Sequence, residues 1–210
     1  MPLKSATLAP SLYTYGTYLL QKSARLSDGE REELMATLFA SGEWHSIAKR
    51  KSGHLYIIHP LQVACLLLDA GADCVTIQAA LLHDVLEDTY CTKEQLQLRF
   101  GEEVCRIVEA VTASKHLSKR ENLDRISQRA AEDARVANLK IADRIANMSH
   151  GSQLSLSTES HHNNLEETEE WYVHRLSVLP LANQELVKLL RKTLSDSVAE
   201  YENRTTNHHG

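Results

Sequence analysis

The apolar segment AALLHDVLEDT carries side chains that can bind a metal ion or move a proton: His83, Asp84, Glu87 and Asp88, all within six residues. If the segment is helical, His83 shares a face with Glu87 and Asp84 with Asp88, because residues four apart lie one above the other. Burying such groups costs several kcal/mol unless something compensates them. A bound metal ion is the simplest compensation.

Two other segments extend this set. His59 precedes a proline and stands 24 residues before His83, and Asp143 lies among apolar residues with Asn147 one turn further on. Two imidazoles and two carboxylates form an N/O donor set, which suits Mn, Fe, Zn or Mg better than a soft-ligand site would. Four protein ligands leave positions for a water and a substrate oxygen. Each residue alone has an ordinary structural explanation, but the combination indicates a metal site.

Three motifs in order, RKSGHLYIIHP, HDVLEDT and KIADRIAN, cover residues from about 45 to 148. They resemble the HD phosphohydrolase superfamily and, within it, the hydrolase domain of the Rel/Spo alarmone enzymes. The HD pair alone is a weak signal, whereas the three-part match is specific. The resemblance implies a stand-alone small alarmone hydrolase like the metazoan SpoT homologues, because the chain is too short for the synthetase and regulatory domains of the long enzymes.

The resemblance also implies roles for particular residues. The implied metal ligands are His59, His83, Asp84 and Asp143, with Mn2+ as the usual metal and another divalent ion as an alternative. The implied catalytic acidic pair is Glu87 and Asp88, without an assignment of acid and base between them.

The substrate-binding residues follow partly from the resemblance and partly from charge. Asn147, Arg50 and Lys51 match family residues that hold the nucleotide. Lys49 and Arg144 are added because a polyanionic substrate at a carboxylate-rich site needs positive charge. For Arg144, the sequence equally favours a structural role as partner of a ligand carboxylate.

The implied reaction is removal of the 3′-pyrophosphate from guanosine tetra- or pentaphosphate, giving GDP or GTP and pyrophosphate. One alternative uses the same site for adenosine 3′-pyrophosphates or for the 2′-phosphate of NADPH, because the sequence departs from the family pattern at 54–55 and 149–150. A second is a catalytically silent nucleotide-binding module. A third, an HD nucleotidase acting on dNTPs or cyclic dinucleotides, is disfavoured by the RKSG and ED-T elements.

Composition limits the remaining classes. The 210 residues carry a net charge of −5, which argues against broad nucleic-acid binding, and no 18-residue apolar run predicts a membrane span. The four cysteines form no CxxC pair, which favours buried thiols in a reducing, cytoplasmic setting over a zinc site. The sequence predicts a nucleotide as partner and leaves the oligomeric state open.

Helical periodicity dominates the chain, and the predicted fold is all-α: an HD-domain bundle of roughly 8–10 helices around the metal site. We expect an N-terminal helical extension over 1–26, the HD domain over 27–200 and a disordered tail over 201–210. Within the domain, polar composition predicts loops at 114–125 and 150–164, and periodicity predicts one long helix over 126–149. Tyr56 to His59 is expected to be extended, and His161 to lie on the surface.

Overall fold

The structure is a computed structural model that describes residues 12–45, 56–149 and 156–206. Within these ranges it is helical and has no strand, which confirms the all-α prediction. The N-terminal helices are α1 (Leu12–Lys22), a 3-10 turn (Ser23–Arg25), α2 (Asp28–Trp44), α3 (Ile58–Asp69), α4 (Cys74–Leu82) and α5 (Val85–Asp88). The later ones are α6 (Lys93–Val111), α7 (Lys119–Glu132), α8 (Ala134–Met148), α9 (Thr158–Glu167), a π-helical segment (Thr168–Leu176) and α10 (Gln184–Thr206).

Helices α3, α4 and α8 form the centre of the bundle. Helix α3 packs against α1, α4 and α8, and α4 also packs against α2 and α6. Leu61 and Leu67 of α3, Leu81 of α4, and Leu139 and Ile141 of α8 are completely buried. Each such side chain contributes about 1.5–3 kcal/mol on burial. His59 lies in α3 and Asp143 in α8, and His83 and Asp84 directly follow α4, so the core fixes the relative positions of the predicted ligands.

Side-chain caps decide where several helices begin. Ser27 and Glu30 form a capping box at the start of α2, with the Ser27 hydroxyl accepting from the Glu30 N–H. Ser118 and Glu121 form another capping box at the start of α7. The predicted loop over 114–125 is therefore wrong from Lys119 onward, because Ser-x-x-Glu begins a helix even within a polar stretch.

The single helix predicted over 126–149 is wrong as well, because Asp133 interrupts it. This residue has extended backbone angles, φ −141° and ψ 110°, and its carboxylate accepts from the Arg135 N–H. Asp133 thus ends α7 and caps the start of α8. Aspartate competes with the helix by bonding nearby backbone groups, which is why it favours such a position.

Helix α4 stops at Leu82, so the HD segment is not one continuous helix. His83 follows the last residue of α4, Asp84 precedes the single turn of α5, and both lie at the junction. The extended conformation predicted for residues 56–59 is also wrong, because α3 begins at Ile58 and His59 occupies its first turn.

The C-terminal third is more helical than expected. Helix α9 begins at Thr158, inside the predicted loop 150–164, and α10 runs through Thr206, so residues 201–206 are helical rather than a disordered tail. His161 is buried and hydrogen-bonds the Ser197 hydroxyl at 3.1 Å, which contradicts its predicted surface position. None of the helices in the described ranges is long and apolar enough to cross a membrane.

Replacing Gly101 by alanine should destabilise the fold by about 1–3 kcal/mol, because its φ of 84° and ψ of 170° are accessible essentially only to glycine. Gly29→Ala is the matched control: its Cβ would meet no atom within 4 Å, and no positive φ opposes it. We expect this control to be neutral or stabilising by up to about 1 kcal/mol. Urea denaturation measures both, and equal stability of the two variants would contradict the role of Gly101.

Candidate metal centre and acidic pair

Three predicted ligands meet at the centre of the bundle. One ligand atom each from His59, His83 and Asp143 can be chosen so that all lie within 4.8 Å of one another. The Nε2 atoms of His59 and His83 are 3.1 Å and 3.8 Å from the Asp143 Oδ1. All three residues are buried. The cluster therefore draws one residue from the start of α3, one from the end of α4 and one from α8.

Asp84 stands beside this cluster as a fourth donor. Its Oδ1 lies 3.1 Å from the His83 Nε2, and its Oδ2 lies 4.0 Å from the His59 Nε2. The break between α4 and α5 makes this possible, since it turns both His83 and Asp84 toward the same point. The structure thus brings together all four residues predicted as metal ligands.

Whether these residues fit a cation depends on which ring nitrogen of His83 carries the proton. Its Nδ1 lies 2.8 Å from the Ala80 carbonyl oxygen, which only accepts, so Nδ1 carries the proton. The Nε2 atom then presents a lone pair; it is buried and has no hydrogen-bond partner, although Asp84 Oδ1 is 3.1 Å away. Two acceptors face each other here, as expected around a metal whose histidine ligand is oriented by a carbonyl. The donor set fits a divalent metal ion.

Lys140 is the counter-charge within the cluster, and it was not singled out from the sequence. Its Nζ lies 2.7 Å from the Asp143 Oδ2, and the Asn147 Nδ2 donates to the Asp143 Oδ1 at 2.7 Å. Burial alone would raise the pKa of Asp143, but the Lys140 ammonium and the His59 ring outweigh it and hold that pKa well below its ordinary value. Asp143 is therefore ionised, and the three-residue spacing within KIADRIAN was the available signal for Lys140.

Tyr56 connects the ligand Asp84 with the acidic pair. Its hydroxyl is within hydrogen-bond distance of the Asp84 Oδ2, at 2.8 Å, and of the Asp88 Oδ2. Burial and the two neighbouring carboxylates raise the pKa of Tyr56, so the phenol keeps its single proton and donates it to one carboxylate at a time. Tyr56 was visible in the sequence only as part of YIIHP, without a role.

Glu87 contacts the loop between α6 and α7. It is partly buried, and its Oε1 accepts from the Ala113 N–H. Burial raises the pKa of Glu87, and the Ala113 hydrogen bond opposes part of that rise. A carboxyl group whose pKa moves toward neutrality suits proton transfer better than a fully solvated one. Asp88, by contrast, is held by Tyr56 at the edge of the site.

Arg144 was expected either to contact the substrate or to pair with a ligand carboxylate, and its contacts in the structure match neither role. Its Nε donates to the Thr168 hydroxyl at 2.7 Å, and its Nη1 lies 3.2 Å from the Glu167 carboxylate. The side chain is nearly buried and joins α8 to the C-terminal helices. Because it follows Asp143 directly, it projects about 100° away around the helix, which explains why it does not pair with that ligand.

Of the remaining predicted substrate residues, only Asn147 lies within the described part of the chain. Asn147 lies at the cluster, as described above. Lys49, Arg50 and Lys51 fall in the stretch 46–55, outside the described residues. His45, at the edge of that stretch, is buried and stacks on Tyr56 with 4.5 Å between ring centroids.

Comparison with known proteins identifies the class. The family model described as HD domain matches residues 36–175, and the chain belongs to this family. Among curated relatives, a guanosine-3′,5′-bis(diphosphate) 3′-pyrophosphohydrolase of Aquifex aeolicus is 41% identical over 160 residues, which are 73% of this chain and 23% of the relative. A Vibrio cholerae protein of the same name is 38% identical over 130 residues, 59% of this chain and 18% of the relative. The chain therefore spans less than a quarter of either relative.

A solved structure agrees with the same architecture over nearly its whole length. It is that of a metazoan orthologue of SpoT, described as hydrolysing ppGpp and acting in starvation responses. It matches with a TM-score of 0.66 and 26% identity, covering 78% of this chain and 94% of that one.

We expect His83→Ala to lose stoichiometric metal after loading with Mn2+ and desalting, because it removes the lone pair at Nε2. Asp88→Asn should keep its metal, since Asp88 contacts Tyr56 rather than the cluster. Metal content by plasma mass spectrometry, with circular dichroism to confirm folding, measures the difference. Equal metal content in these two variants would contradict the assignment of His83 as a ligand.

Lys140→Met should destabilise the metal-free protein by about 3–5 kcal/mol, because it leaves the buried Asp143 carboxylate without its counter-ion. Added Mn2+ should recover part of this loss, since a cation again faces Asp143. Lys188→Met, which removes an exposed partner of Glu185, is the control and should change stability by less than about 0.5 kcal/mol. A Lys140→Met protein as stable as this control would refute the proposed charge balance.

Proposed function

We propose that this chain is a metal-dependent hydrolase that removes the 3′-pyrophosphate from guanosine tetra- and pentaphosphate, with Mn2+ as its metal. The observation that carries the proposal is the convergence of four candidate metal ligands, of which Asp84 is joined through Tyr56 to Asp88 of the acidic pair. The names of the HD-domain relatives and the activity described for the metazoan SpoT orthologue support this choice of substrate.

The proposed reaction is an attack of water on the phosphorus bonded to the ribose 3′-oxygen. A divalent ion bound at the cluster would lower the pKa of water and draw electrons from a phosphoryl oxygen. Glu87, held by the Ala113 N–H, orients the water or takes its proton. The bond to the 3′-oxygen breaks, that oxygen gains a proton, and the products are GDP or GTP and pyrophosphate.

Positive charge for the polyanionic substrate is proposed to come from the stretch before α3. Lys140 is already paired with Asp143, and the Arg144 guanidinium with Glu167. Lys49, Arg50 and Lys51 therefore remain the proposed phosphate and base contacts, with Arg50 able to stack on a base. Asn147, one turn from Asp143, is proposed to hold the substrate near the metal.

The adenosine 3′-pyrophosphates and NADPH remain alternative substrates of the same site. A silent nucleotide-binding module is disfavoured, because the four candidate ligands lie together and Tyr56 joins one of them, Asp84, to Asp88. We propose a nucleotide as the partner and the cytoplasm as the location of the protein.

The direct test measures pyrophosphate release from guanosine tetraphosphate with Mn2+. Glu87→Gln should lower kcat by about 10²–10⁴-fold if Glu87 transfers the proton, and Asp84→Ala should abolish metal-dependent turnover. Glu185→Gln, on the exposed face of α10, is the isosteric control and should retain wild-type activity. Adenosine 3′-pyrophosphates and NADPH, run alongside, rank the substrates by kcat/KM.

Turnover of guanosine tetraphosphate that is lost with EDTA and in both site variants would support the proposal. Faster turnover of an adenosine substrate or NADPH would reassign the substrate and retain the site. A folded, metal-loaded protein that releases pyrophosphate from none of these substrates would overturn it.

A further inference from the structure

A single peptide group joins Arg125 to the acidic pair. The Arg125 Nη2 donates to the Thr112 carbonyl oxygen, and the Ala113 N–H donates to the Glu87 Oε1. The Thr112 carbonyl and the Ala113 N–H belong to the same peptide unit, which is planar and rigid. A guanidinium and a carboxylate are thus connected through one amide, although the two side chains lie on different helices, α7 and α5.

The charges at the two ends of this amide reinforce each other. A cation at the carbonyl oxygen draws electrons from the peptide, which makes its N–H a stronger donor to the anion at the other end. The Arg125 guanidinium has only hydrogen-bond donors and stays protonated, so its effect on the peptide does not depend on pH. Both contacts involve an ionised partner, the stronger class of hydrogen bond in proteins.

Helix α7 also holds the residue on the other side of Ala113. The Ser114 N–H donates to the Asn122 Oδ1 at 2.7 Å, and the Asn122 Nδ2 donates to the Ser114 carbonyl at 3.0 Å. Asn122 is buried. Side chains of α7 therefore hydrogen-bond the loop on both sides of the Ala113 N–H. Arg125 bonds Thr112, and Asn122 bonds Ser114.

We propose that Arg125 is a positioning residue for hydrolysis, which fixes the Thr112–Ala113 peptide so that its N–H holds Glu87 in the orientation needed beside the metal centre. The inference rests on the proposed function and on the role of Glu87 in it. Arg125 lies in α7, which carries none of the site residues predicted from the sequence.

Arg125→Met removes the donor and keeps a stem of similar shape. We expect kcat to fall about 10- to 100-fold, as for a misplaced catalytic group, with KM changed less than twofold, because the substrate contacts proposed above are untouched. Arg125→Lys retains the charge and one donor and should recover part of the loss. Arg129→Met is the matched control: Arg129 lies one turn further along α7 and pairs with Glu132 instead, and both arginines line a cavity of about 370 Å³.

Ala113→Pro cuts the same connection at its other end. Thr112, with φ −67° and ψ 126°, already has the extended ψ that the residue before a proline adopts, and the substitution deletes the Ala113 N–H. It should reproduce the kcat loss of Arg125→Met, and the double variant should lose no more than Ala113→Pro alone. Additive losses in kcat would mean that Arg125 acts independently of the Ala113 N–H, and would overturn the inference.

An NMR readout tests the inference without relying on turnover. The Ala113 amide proton should move upfield in both Arg125→Met and Glu87→Gln, because each weakens its hydrogen bond, and should stay in place in Arg129→Met. An unchanged Ala113 resonance in Arg125→Met would overturn the connection. If the wild-type protein turns over no substrate but the two variants show the expected NMR shifts, the proposed function is overturned. The connection between Arg125 and Glu87 then stands.

Discussion

The rest of the site depends on one close contact between two acceptors. The His83 Nε2 lone pair and the Asp84 Oδ1 face each other at 3.1 Å. The Ala80 carbonyl places a proton of His83 on the other nitrogen, and the Nε2 atom has no hydrogen-bond partner in the structure. Together with Asp143, these groups concentrate negative potential in a buried space, and Lys140 compensates only part of it. A divalent cation bound here would stabilise this arrangement, and metal binding would then be coupled to the stability of the fold.

The surrounding structure divides two tasks between different parts of the bundle. The buried helices α3, α4 and α8 position the candidate ligands rigidly, since their leucine and isoleucine side chains fill the core. The acidic pair instead lies on the short α5 turn, and its two members are held by a tyrosine hydroxyl and by a loop N–H. Short, partly exposed elements of this kind can adjust as a substrate binds, while the metal ligands keep their geometry.

The sequence predicted much of this because the motifs are local and the periodicity is strong. The helical class and the convergence of His59, His83, Asp84 and Asp143 were correctly expected. The break at Asp133 and the junction at His83 were missed, because a single aspartate or a one-turn helix hardly changes the periodicity over a longer window. Arg125 could not be found at all, since its effect passes through a backbone amide and no side-chain pattern records it.

The measurement that tests the account most directly is a crystal structure of the protein grown with Mn2+, with data collected at the manganese absorption edge. We expect one strong anomalous peak within coordination distance of the His83 Nε2, the His59 ring, Asp84 and Asp143. A peak elsewhere, or metal-soaked crystals in which the His83 Nε2 instead hydrogen-bonds a water or a side chain, would contradict it.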